Sequence, residues 1–295
     1  TEEVQARAAE QLTIPEDTLP SKELPRFKRF LKGEEGRLKK LHQEGGLGRE
    51  VCHVRAAIID ALIQHLFEAA VQVAPKQGDG KLPAMAVVAI GGYGRAELNP
   101  HSDIDIQFLC EDRLLSGPKP DAYLQSVTDT VLYLLWDLGL KIGHSVRRVR
   151  DCVAEANKDM QSKTALIEAR LVVGDKALFV QMEKQVHVKC VKAFVEKYTA
   201  MRIEDQAARR EKFGGAVTMQ EPNIKNGCGG LRDYQNLRWM MHFKCGVRLV
   251  EDLETEKQIS KADAEKLEAA YSFLLRVRNE LHYQLDRPVD ALTKS

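Results

Sequence analysis

The sequence predicts an α+β fold, a small mixed sheet with flanking helices over residues 50–155 packed against a helical bundle over 156–295, after a lead-in and helix at 1–49. Three observations predict it. Residues 86–90 form a short apolar run rich in β-branched side chains that stops at Gly91 and Gly92, the mark of a strand reaching a tight turn. Residues 103–109 alternate, with Asp103, Asp105 and Gln107 on one face and Ile104, Ile106 and Phe108 on the other, the period of a strand. Beyond Asp151 the alternation fades and helical spacing takes over.

Composition bounds the function. The 295 residues are 44% hydrophobic and 29% charged, a globular balance without the low hydrophobicity of a disordered chain. A net charge of +1 gives no global attraction to nucleic acid or membrane, so no nucleic-acid or membrane partner is expected. Any basic site must be local, and Lys141, Arg147, Arg148 and Arg150 form the best candidate. The six cysteines show no Cys-x-x-Cys and no paired Cys/His set, which reads as free thiols in a reducing cytoplasm. His187 and Cys190 have half of a zinc spacing and read as two positions on a helix. The sequence shows no signal peptide and no apolar run near the roughly 20 residues of a membrane span.

Taken in order, residues 1–25 are polar with three prolines and read as an irregular lead-in. Residues 26–43 have helical spacing, with Phe30, Leu38 and Leu41 as buried positions. Val51, Val54, Ile58, Leu62 and Leu66 recur at three and four residues and predict a helix on the sheet. A loop at 72–83, containing Gly78 and Gly80, leads to the first strand. A helix over 124–138 ends before Gly139, and residues 140–149 read as a third strand. Residues 162–173 and 177–198 read as successive helices, and Leu267, Tyr271, Leu274, Val277 and Leu281 mark the last one.

The chemistry concentrates at residues 91–105. Neighbouring aspartates repel each other unless a cation lies between them, and Mg²⁺ takes such hard oxygen ligands, completing its shell with water and substrate phosphates. The glycine turn offers backbone N–H groups to a phosphate, and Arg95 a bidentate donor. Either feature alone reads as an ordinary solvated strand or turn. Together, Gly-Gly followed by Asp-Ile-Asp-Ile resembles the polymerase-β-like nucleotidyltransferase signature. The string Gly-Gly-Tyr-Gly-Arg-Ala-Glu-Leu-Asn-Pro-His-Ser-Asp-Ile-Asp, residues 91–105, resembles that of the bacterial [protein-PII] uridylyltransferase family. Residues 221–233, Glu-Pro-Asn-Ile-Lys-Asn-Gly-Cys-Gly-Gly-Leu-Arg-Asp, are similar to a second motif of that family, and Gly-His-Ser-Val-Arg at 143–147 and residues 276–282 to others.

The resemblance covers residues 28–293, the transferase region. It implies a Mg²⁺-dependent nucleotidyltransferase that moves UMP from UTP (or another NTP) to a hydroxyl of a PII-type nitrogen regulatory protein. It further implies that Gly91, Gly92 and Arg95 hold the triphosphate while Asp103 and Asp105 bind two Mg²⁺. Ser102 either donates to a phosphate or caps the turn. A third carboxylate is expected on the strand after 140, where this sequence has Gly143, His144 and Ser145; Glu168 is the substitute candidate, with a structural salt bridge as its competing reading. In the second motif, a glycine-rich approach to a helix starting near Leu231 is an anion site by geometry, and Lys225 and Arg232 are its nucleotide-binding candidates. The active site is expected in the cleft between the two domains. Family members continue into an HD phosphohydrolase domain and ACT domains; this chain has no His-Asp dipeptide, and is expected to add nucleotide without removing it. Two rivals stand: adenylyl or other nucleotidyl transfer to a different acceptor, and a nucleotide-binding regulatory module with little catalysis.

Overall fold

Val4, Ala8 and Leu12 are spaced one helical turn apart. In the computed structural model, which describes residues 1–15, 18–75 and 82–293, they are the buried side of helix α1 (Glu2–Leu12). The irregular lead-in is therefore corrected. Its apolar stripe is sparse, and the contact that fixes it is distant in sequence: Arg7 forks onto the buried Glu34 of α2 (Leu24–Gln43), its Nε and Nη2 lying 2.8 and 2.9 Å from the two carboxylate oxygens. Phe30 and Leu38 are buried as expected and Leu41 is half-buried.

Helix α3 (Gly48–Val73) buries Val51, Ile58, Leu62 and Leu66, and half-buries Val54. By length and composition it is the one helix among the described residues that could span a membrane, contrary to the expectation from sequence. Its most apolar window is 61% buried inside the protein, as in a core helix. Gly78 and Gly80 of the following loop lie outside the described residues.

The sheet has four strands: β1 (Met85–Ala89), β2 (Ile104–Cys110), β3 (Ile142–Arg147) and β4 (Arg170–Gly174). A single helical turn, α4 (Gly91–Gly94), follows β1, and α5 (Ala122–Asp137) carries the chain from β2 to β3. Asp121 caps α5 by accepting from the Tyr123 N–H at 2.9 Å. Then come α6 (Val149–Lys158), α7 (Met160–Ile167) and, after β4, α8 (Lys176–Val186). The strand order is β3-β2-β1-β4, with β2 and β4 antiparallel to β1 and β3 parallel to β2, so the sheet is mixed as predicted.

Two helical expectations are corrected. Residues 162–173 are helical only to Ile167; Arg170–Gly174 instead pairs with β1, from Ala86 opposite Gly174 to Ala89 opposite Arg170. Strand β1 is buried along its whole length, so the N–H and C=O groups on its second edge need a ladder partner. The signal for it, Leu171-Val172-Val173, is too short to stand out from helical spacing. Residues 177–198 are not one helix either: α8 stops at Val186, His187–Val191 form a single π turn with Cys190 buried, and α9 (Val195–Phe213) begins anew.

The chain divides into two compact units: residues 1–40, 53–98 and 102–187, which hold the sheet, and residues 41–52, 99–101 and 188–295. The second unit is helical, with α9, α10 (Leu231–Cys245), α11 (Val250–Thr255) and α12 (Lys261–Leu285). Tyr234 and Tyr271 stack at 3.8 Å within a core that includes Leu231, Val250, Leu253 and Leu275, and Leu267, Leu274, Val277 and Leu281 pack against it.

Candidate active site

In the first unit, the candidate site is built from β2, β3 and the α4 turn. Ile104 and Ile106 are buried while Asp103 and Asp105 are exposed, as the alternation predicts. Hydrogen bonding continues past the strand end, with Ile90 N–H donating to Asp105 O at 3.1 Å, so the α4 turn starts beside Asp105. Gly91 adopts φ +58°, a left-handed conformation that favours glycine, and a Cβ on it would lie 3.8 Å from Asp105 Oδ2. Parallel pairing sets Gly143 opposite Asp105, where an added Cβ would lie 2.3 Å from Oδ1. The carboxylate therefore sits between two glycine backbones, in space that any side chain at 143 would fill. As the first residues of a turn, Gly91 and Gly92 present N–H groups that the turn does not use.

The remaining sequence candidates are placed differently. The side chains of Ser102 and Asp103 have no hydrogen-bond or ion-pair partner among the described residues. Arg95 is only 10% exposed and held between two carboxylates, with Nε 2.6 Å from Glu97 Oε2 and Nη1 2.6 Å from Glu168 Oε2. Glu168 is thus the partner of Arg95, the salt-bridge reading of that residue. Among the described residues no three or more His, Cys, Asp or Glu side chains come together as a metal cluster. The hard oxygens of Asp103 and Asp105 fit Mg²⁺ as a pair that leaves coordination positions for phosphate and water.

Tyr93, in the middle of the glycine string, is structural. It is buried, its hydroxyl donates to Asp60 Oδ1 at 2.6 Å, and Arg170 forks onto the same carboxylate at 2.8 and 3.0 Å. Burial and the adjacent Asp60 carboxylate hold its phenol well above the usual tyrosine range.

Sequence reasoning missed the enclosure of the site. A cavity of about 290 Å³ is lined by Asp105, Gly143, Ser145 and Arg147 together with Ser162 and Leu166 of α7. The signal was present: Gly143, Ser145 and Arg147 alternate on one face of a strand, and pairing makes that the Asp105 face.

In the second unit, the Glu221–Asp233 stretch closes on itself. Asn223 Oδ1 accepts from the N–H groups of Lys225 and Asn226 at 3.1 and 2.7 Å, and Asp233 accepts from Gly229 N–H at 3.0 Å and from Arg209 at 3.1 Å. The first three N–H groups of α10, on Leu231, Arg232 and Asp233, bond the carbonyls of Ile224, Lys225 and Gly230. The helix terminus is thereby used by its own loop, which corrects its reading as an open anion site; an anion here would be held by side chains. Lys225 Nζ lies 3.8 Å from Asp290 and the Arg232 guanidinium 5.1 Å from the Trp239 ring centre.

The Asn99–Pro100 step, just ahead of Ser102, is held by α12. Asn279 accepts from Asn99 Nδ2 at 2.6 Å, Arg278 donates to Asn99 Oδ1 and His282 Nδ1 donates to the Pro100 carbonyl. Burial pushes His282 down to about 4.

Residues 197–295 match the family model described as GlnD PII-uridylyltransferase, and residues 38–125 the one described as glutamate-ammonia ligase adenylyltransferase. The chain is 34% identical over 263 residues to a bifunctional uridylyltransferase/uridylyl-removing enzyme of Erythrobacter litoralis, covering 89% of this chain and 28% of the relative. Enzymes of the same description from Rhodospirillum rubrum and Cereibacter sphaeroides are 34% and 33% identical, covering 85% and 83% of this chain and 26% of each relative. The chain spans about a quarter of the length of these curated relatives.

Proposed function

Because the chain belongs, as one region, to the PII-uridylyltransferase family, we propose that it transfers UMP from UTP to a hydroxyl group of a PII-type nitrogen regulatory protein. The observation that carries this reading is the Asp105 carboxylate lodged between the backbones of Gly91 and Gly143, with Asp103 exposed two residues before it. The acceptor oxygen attacks the α-phosphorus, the bond to the bridging oxygen breaks, pyrophosphate leaves with that electron pair, and the hydroxyl proton is released. Mg²⁺ held by Asp103 and Asp105 would supply charge stabilisation for the leaving pyrophosphate and activation of the hydroxyl.

The chain's own groups do the positioning. The N–H groups of Gly91 and Gly92 that the turn leaves unused meet phosphate oxygens, and the Ser102 hydroxyl, without a partner among the described residues, is available to another. Arg95, clamped by Glu97 and Glu168, keeps the turn in place. Lys225 and Arg232 contribute cationic contacts to the nucleotide or to an acidic face of the target. The six cysteines are free thiols, which supports a reducing, cytoplasmic setting.

The match of residues 38–125 to an adenylyltransferase family favours one second reading, AMP transfer, because that stretch contains both the glycine turn and the aspartates. Incubating the protein with Mg²⁺, each NTP in turn and a PII-type protein, with intact-mass readout, separates the two. A mass gain equal to UMP supports uridylylation, one equal to AMP the second reading. No gain with any NTP removes both.

A further inference from the structure

We infer that Ser145 and Arg147, on β3, form an anion subsite inside the Asp105 cavity and hold a phosphoryl group of the nucleoside triphosphate. The inference rests on the nucleotidyl-transfer reading of this site and adds two binding residues to it. Both side chains line the cavity of about 290 Å³ that Asp105 and Gly143 open onto. That volume is at the low end for small-molecule sites and suits part of a nucleotide rather than all of it.

The charges around the turn single out Arg147. Arg95 is matched by Glu97 and Glu168, Arg170 by Asp60, Arg148 by Asp151 and Arg150 by Asp112. Arg147 has no carboxylate within 4.0 Å among the described residues; its side chain donates instead to a neutral group, from Nη1 to Gln107 Oε1 at 3.3 Å. Gln107 is fully buried, and its amide nitrogen faces Cys152 Sγ at 3.2 Å and Met182 Sδ at 3.6 Å, which fixes the amide so that its oxygen points to Arg147. The arginine is thus oriented without a direct ion pair among the described residues. A half-buried guanidinium with no carboxylate in ion-pair contact, attracted only at longer range by Asp159, still gains from an anion that joins it. Beside it, Ser145 Oγ is buried with no hydrogen-bond partner among the described residues, a donor left over inside the same cavity. A phosphoryl oxygen satisfies both.

The test titrates UTP with Mg²⁺, and separately inorganic tripolyphosphate, into wild type, Arg147→Ala, Arg147→Lys, Ser145→Ala and Asp105→Asn by calorimetry, with melting temperatures recorded without ligand. Arg147→Ala is expected to weaken both ligands at least about tenfold (about 1.4 kcal/mol), Arg147→Lys less, and Ser145→Ala by a few-fold. If Arg147→Ala loses its fold, Arg147→Lys and Ser145→Ala decide. Wild-type tripolyphosphate binding in folded Arg147→Ala, alongside impaired Asp105→Asn, overturns the subsite and leaves nucleotidyl transfer standing. The subsite also falls if Arg147→Ala raises only the KM for the protein acceptor. If wild type binds neither ligand, the transfer reading itself fails.

Discussion

Gly143→Ala should cripple the site while sparing the fold, and the reason is steric. An added Cβ would lie 2.3 Å from Asp105 Oδ1, whereas ordinary contact begins at 3.4 Å, so the oxygen must retreat by about 1 Å. The obstacle is the tip of an exposed side chain, which can turn aside at a cost of about 0.5–1.5 kcal/mol for an off-rotamer torsion. Catalysis is less forgiving, since a displacement of about 1 Å in the reacting assembly can cost about 10²-fold in rate. Gly94 is the control. A Cβ there would lie 2.2 Å from the Glu168 carbonyl oxygen, a backbone atom that cannot rotate away, so Gly94→Ala should lose stability first. Initial rates of mass addition to a PII-type protein, read beside urea unfolding, separate the two effects. Gly143→Ala working at near wild-type rate, or unfolding as badly as Gly94→Ala, would refute the argument that Gly143 is there for the carboxylate.

Asp103→Asn and Asp105→Asn should each lower transfer by several powers of ten with unchanged melting temperature, because an amide cannot replace the lost charge; turnover of Asp105→Asn within about tenfold of wild type would exclude the site. Arg95→Ala should act mainly on stability, by about 3–5 kcal/mol in chemical denaturation, since it strands Glu97 and Glu168 in a nearly buried setting; an unchanged midpoint would show that the clamp is dispensable. Arg232→Ala should weaken UTP binding or transfer about tenfold with little loss of fold, checked by calorimetry and rate. His282 makes stability pH-dependent. Its pKa is depressed to about 4 in the fold from an ordinary 6.5, so the unfolded chain takes up the proton first. Its contribution is full above about pH 6.5 and is lost as pH falls towards 4, a change on the order of 3 kcal/mol. In His282→Gln that part of the acid limb should flatten; an identical limb would assign the pH dependence to other groups.

The parts of this protein that sequence made legible are those where one short period decides the matter. Asp103 to Ile106 alternate within four residues, and the structure exposes both aspartates and buries both isoleucines. Strand β4 escaped because its identity depends on β1 needing a second neighbour, a fact that lies more than 80 residues upstream. Helix α1 escaped for the same kind of reason, its fixing contact being Arg7 on Glu34. The glycines were legible as a turn, but the need for one at Gly143 appears only when the parallel register sets it opposite Asp105.

Charge was the least legible property, because a sequence shows which residues carry it and not which are already matched. Arg95 stands inside the motif and reads as a phosphate donor, yet two carboxylates hold it at 2.6 Å. A third ligand pulling on that guanidinium would have to compete with two charge-assisted bonds, each stronger than a neutral hydrogen bond. Arg147 stands outside the glycine string and reads as one of four residues of a local basic site, yet among the described residues it is held by an amide oxygen and no ion pair, in the cavity of Asp105. An incoming triphosphate gains more from the cation that has no direct ion pair than from the one that has two. On the proposed subsite, the arginine that shapes the turn and the arginine that meets the nucleotide are different residues, and substituting each in turn separates loss of fold from loss of affinity.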